Sequence, residues 1–252
     1  MAFDVGGDAY GAFMGRFAEP LAGQFVEFAG VQAGQRALDV GCGPGALTAR
    51  LVERVGAADV AAVDPSASFV VATRNRCPGA DVRQGVAEEL PFGDGERDVA
   101  LAQLVVHFMA DPVRGLAEMG RVTRPGGVVA ATVWDFGGGT GPLSAFWAAA
   151  HELDPTVDGE ADRAGTREGH LAELARAAGL TDVESGAITV AVRYATFEQW
   201  WHPYTLGVGP AGDYVTGLGE KERAQLRQRC EERLPTAPFD IRAQAWAVRA
   251  RG

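Results

Sequence analysis

Leu38-Asp39-Val40-Gly41-Cys42-Gly43-Pro44-Gly45 is a short apolar run that ends in an acid and a glycine loop. With Arg36 and Ala37 it reads as a strand over Arg36–Gly41 feeding a turn. Glycines placed directly after a strand let the main chain turn tightly and let a ligand approach the backbone closely. The trio alone is permissive. Gly41, Gly43 and Ala46 also satisfy the G-x-G-x-x-[GA] pattern of dinucleotide folds, and a tight strand-to-helix turn needs no ligand. Asp39 separates the readings. A carboxylate at the end of an apolar strand needs a hydrogen bond from the loop or a cationic ligand. It repels a pyrophosphate and favours an ammonium or a sulfonium.

Outward from this loop, helices and strands alternate. Leu47–Val55 has helical character, and Val60–Val63 is a strand ending at Asp64, where nucleotide-binding α/β folds grip a ribose diol. Phe69–Arg76 reads as a helix and Ala80–Gln84 as a strand. The segment Gly85-Val86-Ala87-Glu88-Glu89-Leu90-Pro91-Phe92 then stands where an adenine is read by backbone and side-chain groups. Val99–Leu104 is a fourth strand, Val113–Val122 a helix, and Val128–Trp134 a fifth strand after the Pro125-Gly126-Gly127 turn. Such alternation predicts a parallel sheet covered on both faces. Upstream, Phe13, Phe17, Leu21, Phe25 and Phe28 recur at helical spacing. Downstream, helices are expected near Ser144–Leu153 and over His170–Ala178. Strands are expected at Ile188–Tyr194 and Ala243–Arg249, and between them lies a partly helical insertion, Phe197–Leu234.

The composition excludes several function classes. The 252 residues carry a formal net charge of −10 and a single lysine, Lys221, so a phosphate backbone would be repelled and no nucleic-acid partner is expected. No apolar run approaches the ~18 residues of a membrane span, so no membrane partner is expected. Met1–Ala9 is polar and does not read as a signal peptide. Cys42, Cys77 and Cys230 are odd in number and far apart, which argues against a disulfide framework or a metal site and places the chain in a reducing cytoplasm.

Taken together, these segments resemble class I S-adenosylmethionine-dependent methyltransferases of the small-molecule, ubiquinone-biosynthesis-like type (methyltransferase type 11). LDVGCGPG (38–45) is similar to the family's first motif, AAVDPS (61–66) to the segment with the ribose acid, and GVAEELPF (85–92) to its adenine segment. LAEMGRVTRPGGVVAATVW (116–134) resembles its helix, turn and fifth strand. The resemblance is strong over residues 10 to 135. It implies a Rossmann-like α/β fold: a seven-stranded, mostly parallel sheet with the last strand antiparallel, helices on both faces, and a helical lid inserted before the last strand. The chain is then one domain, 1–252. Residues 1–35 form a helical cover and 36–135 the cofactor core. Residues 136–196 and 239–252 supply the rest of the sheet, and 197–238 the lid.

The implied cofactor is S-adenosyl-L-methionine, held by Asp39, Gly41, Cys42, Gly43, Asp64, Pro65, Ala87, Glu88 and Gln103. Many relatives carry an acid where this chain has Val86, which shifts the adenine contact to the backbone near Ala87 and to Glu88. Tyr10 and Arg16, in a Y-x-x-F-M-x-R run shared with relatives, would fold over the cofactor, Arg16 pairing with its carboxylate. His107, just after the fourth strand, is the candidate base, because histidine titrates near neutrality; a packing role is the alternative. Trp134, Trp201, His202 and Tyr204 are candidates to line a pocket for a small, apolar or aromatic acceptor. The chain is expected as a monomer or homodimer. Two other readings remain open at this level: a protein of the same fold that binds the cofactor without methylating, as a cyclase or regulatory binder, and an NAD-dependent oxidoreductase.

Overall fold

The computed structural model describes residues 11–252. A single π-helical turn, Gly11–Gly15, leads into α1 (Arg16–Ala29). Its buried stripe of Phe17, Leu21 and Phe25 is the apolar face expected from their spacing. The helix ends at Gly30, whose φ of 71° provides the left-handed cap. The first half of the sheet follows as β1 (Ala37–Val40), α2 (Ala46–Val55), β2 (Val60–Asp64), α3 (Ala67–Arg76) and β3 (Asp81–Gln84). Next come β4 (Arg97–Gln103), α4 (Pro112–Val122) and β5 (Thr123–Trp134). The second half continues through α5 (Ser144–Leu153), α6 (His170–Ala177) and β6 (Thr181–Tyr194). The insertion supplies α7 (Phe197–Trp201), a 3₁₀ segment (His202–Leu206), α8 (Gly209–Gly217) and α9 (Glu220–Arg233) before β7 (Phe239–Arg251) closes the chain.

The strands form one seven-stranded sheet in the order β3-β2-β1-β4-β5-β7-β6. β1 to β5 pair in parallel, and β7 runs antiparallel to both β5 and β6. The order reverses at β1 and β4, the place where open α/β sheets leave a crevice at the carboxyl ends of their strands.

Side chains alternate across the sheet with the period of two that pleating imposes. Val99 and Leu101 of β4 face a core built with α1, α2, α5 and the insertion. Ala100 and Ala102 face a second core with α4 and α6. The four buried residues of β1 read as a continuous apolar run for this reason, with Asp39 as the one charged exception.

The structure extends three strands by four or more residues beyond the sequence expectation, β5 starting at Thr123 rather than Val128. β6 starts at Thr181 rather than Ile188, and β7 at Phe239 rather than Ala243. β6 is an edge strand whose first seven residues are exposed or half-buried, so they lack the apolar alternation that marks a strand in sequence. The Pro125-Gly126-Gly127 turn lies within β5, where Gly126 takes a φ of 72° and the pairing register to β4 shifts between Arg97 and Val99.

Candidate functional site

The loop after β1 is held by β2. The amides of Gly41 and Cys42 both donate to the carbonyl of Val63, at 2.7 and 3.0 Å. Gly43 N–H donates to Asp64 Oδ2 at 2.8 Å, and the Thr73 hydroxyl of α3 donates to the Gly43 carbonyl at 2.7 Å. Two glycines are needed here for different reasons. At Gly41 (φ 72°) an added Cβ would lie 2.4 Å from Val105 Cγ2. At Gly43 (φ 52°) it would meet nothing within 4 Å, because that position faces open space. The loop therefore packs on one side and presents backbone to a cleft on the other.

That cleft, of about 460 Å³, runs along the carboxyl ends of β1 to β4. Its wall includes Gly41 and Gly43, Asp64 and Pro65, Ala87 and Glu88, and Gln103. Such a volume suits a nucleoside-sized ligand. Asp64 accepts one backbone N–H on each oxygen, from Gly43 and from Ser66, both at 2.8 Å. Each oxygen keeps a further lone pair for a hydroxyl in the cleft. Burial raises the pKa of Asp64, against the lowering effect of those two amides. Gln103 donates through Nε2 to the Ala18 carbonyl of α1 at 3.1 Å, while its buried Oε1 has no partner. The amide thus ties the N-terminal helix to the sheet and leaves an acceptor at the cleft. Leu104, next in the chain, holds a φ of 61°, an uncommon conformation for a branched side chain that marks strain at the cleft wall.

Asp39 lies beneath the cleft rather than in its wall. It is buried, and its Oδ2 accepts from the Thr48 hydroxyl at 2.6 Å while Oδ1 has no partner. Loss of hydration pushes its pKa up to about 7. Glu88 uses one carboxylate oxygen to accept from the amides of Ala110 and Asp111, at 2.7 and 3.2 Å. It braces the loop after β4 as well as lining the cleft.

Several expected contacts are not formed. The Cys42 side chain turns away from the cleft toward Thr73, 3.8 Å off, because the loop exposes its backbone rather than its side chains. The Arg16 guanidinium stands over the Tyr194 ring at 4.7 Å, outside the cleft wall, so its stem and charge are spent on the aromatic edge of β6. Tyr10 lies outside the described residues. Trp201 and Tyr204 are core residues: Tyr204 stacks on Phe146 with centroids 4.6 Å apart, and neither lines a described cavity. His202 is exposed to solvent.

Beside the cleft, and sharing Leu104 and Phe108 with it, is a small cavity of about 40 Å³. Trp134 and His107 line it, and from the insertion it is reached only by Val208, Gly209 and Pro210. His107 is 8% exposed, lies against Phe108 with centroids 3.9 Å apart, and leaves Nδ1 without a partner. Burial, with the nearby Arg163 charge, lowers its pKa to about 3. It is therefore a neutral imidazole at physiological pH and not one that titrates near neutrality. One carboxylate that the sequence did not flag, Glu160, lines the same cavity. It is 3% exposed and accepts from the Trp147 indole N–H at 3.1 Å. No helical or strand pattern surrounds Glu160 in sequence, so only the fold reveals it.

Comparison with known proteins agrees with this arrangement. Residues 38–131 match the family described as "Methyltransferase domain". An uncharacterized methyltransferase of Mycobacterium tuberculosis is 42% identical over 103 residues, 41% of this chain and 41% of the relative. A ubiquinone/menaquinone biosynthesis C-methyltransferase of Bdellovibrio bacteriovorus is 32% identical over 118 residues, 45% of this chain and 49% of the relative. The chain thus spans less than half the length of these curated relatives. The structure of a geranyl diphosphate methyltransferase in complex with S-adenosylmethionine is similar in fold, with a TM-score of 0.53 over 93% of this chain and 85% of that one, at 14% identity. The glycine loop, the β2 acid, the adenine segment and most of the fifth strand fall inside the segment that is similar to this family.

Proposed function

We propose that the protein transfers a methyl group from S-adenosylmethionine to a small, apolar or aromatic acceptor. The observation that carries this reading is the cleft at the carboxyl ends of β1 to β4. It brings together a backbone-exposing glycine, an acid with spare acceptor capacity and an unpartnered amide oxygen. The residues present fit the cofactor. Gly43 gives the space in which a ligand can meet the main chain. The two oxygens of Asp64 would take the ribose hydroxyls. Gln103 Oε1 would accept from the ammonium of the amino-acid end. The backbone at Ala87, beside the exposed Val86, is left to meet the adenine. When bound, the sulfonium supplies an electrophilic methyl group.

The chain's own contribution is to position the acceptor and keep water away. The smaller cavity shares Leu104 and Phe108 with the cleft, and at about 40 Å³ it has room for the tip of an apolar acceptor and not for a whole ring. The neutral His107 would act there as a hydrogen-bonding and packing group. Residues 197–238 would serve as cover, through the segment Val208–Pro210 that reaches the cavity. The similarity of residues 38–131 to the methyltransferase family favours this reading over a dinucleotide oxidoreductase.

The test is incubation with methyl-labelled S-adenosylmethionine and a panel of phenols, amines and polyketide-like compounds. Label should appear on an acceptor in the wild type. Asp64→Ala should weaken cofactor binding by about 1–3 kcal/mol, the scale of a lost hydrogen bond to a charged group. Tight cofactor binding with no transfer across the panel would instead favour a binding protein of the same fold.

A further inference from the structure

Four buried polar atoms that have no hydrogen-bond partner among the described residues stand close together in the fold: Gln103 Oε1, Thr132 Oγ1, Trp134 Nε1 and His107 Nδ1. Thr132 of β5 pairs with Gln103 of β4 and lies two residues before Trp134, so these three side chains share one face of the sheet. Gln103 lines the cleft at one end of this row, and Trp134 lines the small cavity at the other, together with His107. The cleft's ligand serves Gln103 Oε1. Nothing among the described residues serves the indole of Trp134 or Nδ1 of His107, and leaving such groups buried and unpaired is costly. We propose that the small cavity is a site for one neutral oxygen atom, which accepts from Trp134 Nε1–H and bonds to His107 Nδ1. The oxygen belongs to a water in the free protein, and to the tip of the acceptor once an acceptor is bound; the second half rests on the methyl-transfer reading above.

Size sets the guest. The cavity holds about 40 Å³, and an ordered water needs about 10–15 Å³ of such space with at least two polar partners. A water, or a terminal hydroxyl or carbonyl, therefore fits where a ring does not. Polarity sets the atom. An indole N–H can only donate, so an ammonium or a methyl group would leave it unserved, whereas His107 Nδ1 donates or accepts according to its tautomer. Glu160 lines the cavity, and the Arg163 guanidinium stands 5.3 Å from the centre of the Phe108 ring that walls it. With one charge of each sign beside it, the site selects neither a cation nor an anion. The side chains of Phe13, Leu104, Phe136 and Leu143 offer the guest no hydrogen bond. A water held here is displaced without loss only by a group that reproduces its bonds. The cavity shares Leu104 and Phe108 with the cleft, so the tip of a molecule lying against the cleft is the group placed to do so. The site thereby selects acceptors that carry an oxygen at that tip and rejects the analogue without it, whose binding would strand the indole N–H.

The test is NMR of the full, isotope-labelled chain without cofactor, with solvent water, xenon and methanol as probes. In the wild type the Trp134 indole N–H should show a nuclear Overhauser contact to a long-lived water. Xenon, which fills dry apolar cavities, should leave the methyl resonances of Leu104, Leu143 and Val208 unshifted. Methanol should shift them and remove the water contact. Trp134→Phe keeps an aromatic body and deletes the donor. It should admit xenon, and the methanol needed for half-saturation should rise about fivefold, the scale of one lost neutral hydrogen bond. His107→Phe should weaken methanol in the same way, and the wild-type measurements stand by themselves if either variant fails to fold. Xenon shifts in the wild type with no water contact at the indole would show a dry cavity and overturn the site. Equal methanol binding in the wild type and Trp134→Phe would overturn the role of the indole. A water contact that methanol does not displace would confine the site to solvent and overturn its place for the acceptor. Binding of S-adenosylhomocysteine is measured apart from these, so its failure counts against the methyl-transfer reading and leaves the oxygen site standing.

Discussion

Single residues in this protein are set by what surrounds them more than by their own chemistry. Asp39 was readable in sequence as an acid that needs a partner, and the structure supplies Thr48, through its hydroxyl and its backbone, against a larger cost of burial. Its folded pKa of about 7 lies above that of an unfolded aspartate, so the folded state holds the proton more tightly. Folded stability therefore falls as pH rises from about 4 to 7 and is flat above that. Asp39→Asn keeps the hydrogen bond without the charge. It should raise the melting temperature of the ligand-free protein, by a margin that widens between pH 4 and 7 and then stays constant. A margin independent of pH would show that Asp39 ionises freely in the fold. His107 has the opposite sign. Its pKa of about 3 lies below that of an unfolded histidine, so stability is full above about 6.5 and is lost as pH falls toward 3. His107→Phe should flatten that acid limb in a thermal-denaturation series; an unchanged limb would assign it to other groups. Neither environment could be inferred from sequence. The partners of His107, Phe136 and Arg163, arrive from residues remote in the chain.

At the scale of elements, the alternating half of the chain was legible because β1, β2 and most of β4 are buried on both faces and helices such as α2 and α4 carry one apolar stripe. The later half was less so. The exposed start of β6 has no apolar alternation, and the insertion hides which of its aromatic residues face a cavity. Trp200, Trp201 and Tyr204 all pack into the core. One glycine of the insertion is a point of packing. A Cβ on Gly212 would lie 2.7 Å from the Gly207 carbonyl carbon and 3.0 Å from its Cα, both backbone atoms. Gly212→Ala must push α8 away from the 3₁₀ segment. A loss of about 1–3 kcal/mol in denaturant unfolding is expected, the usual scale of overpacking. An unchanged midpoint would mean that this part of the insertion yields freely.

For the whole molecule, one sheet carries two cores and gathers its functional groups at one end. The β1 to β4 cleft comes from a contiguous stretch whose motifs are short and local, and for that reason much of it could be named from sequence. The inner cavity combines Phe13 before α1, His107 after β4, Glu160 between α5 and α6, and Val208 in the insertion. No local pattern connects these positions, so the pocket exists only once the chain has folded. The acidic balance of the chain is compatible with the cationic sulfonium proposed above, although net charge alone does not choose the ligand.

The central claim is that the glycine loop and Asp64 hold S-adenosylmethionine or its demethylated product. Titration calorimetry of the purified chain with S-adenosylhomocysteine, and in parallel with NAD, tests it most directly. The account predicts one site of micromolar-range affinity for S-adenosylhomocysteine, no measurable binding of NAD, and loss of the site in Gly43→Val while the protein stays folded. Binding of NAD without S-adenosylhomocysteine, or unchanged binding in Gly43→Val, would contradict it.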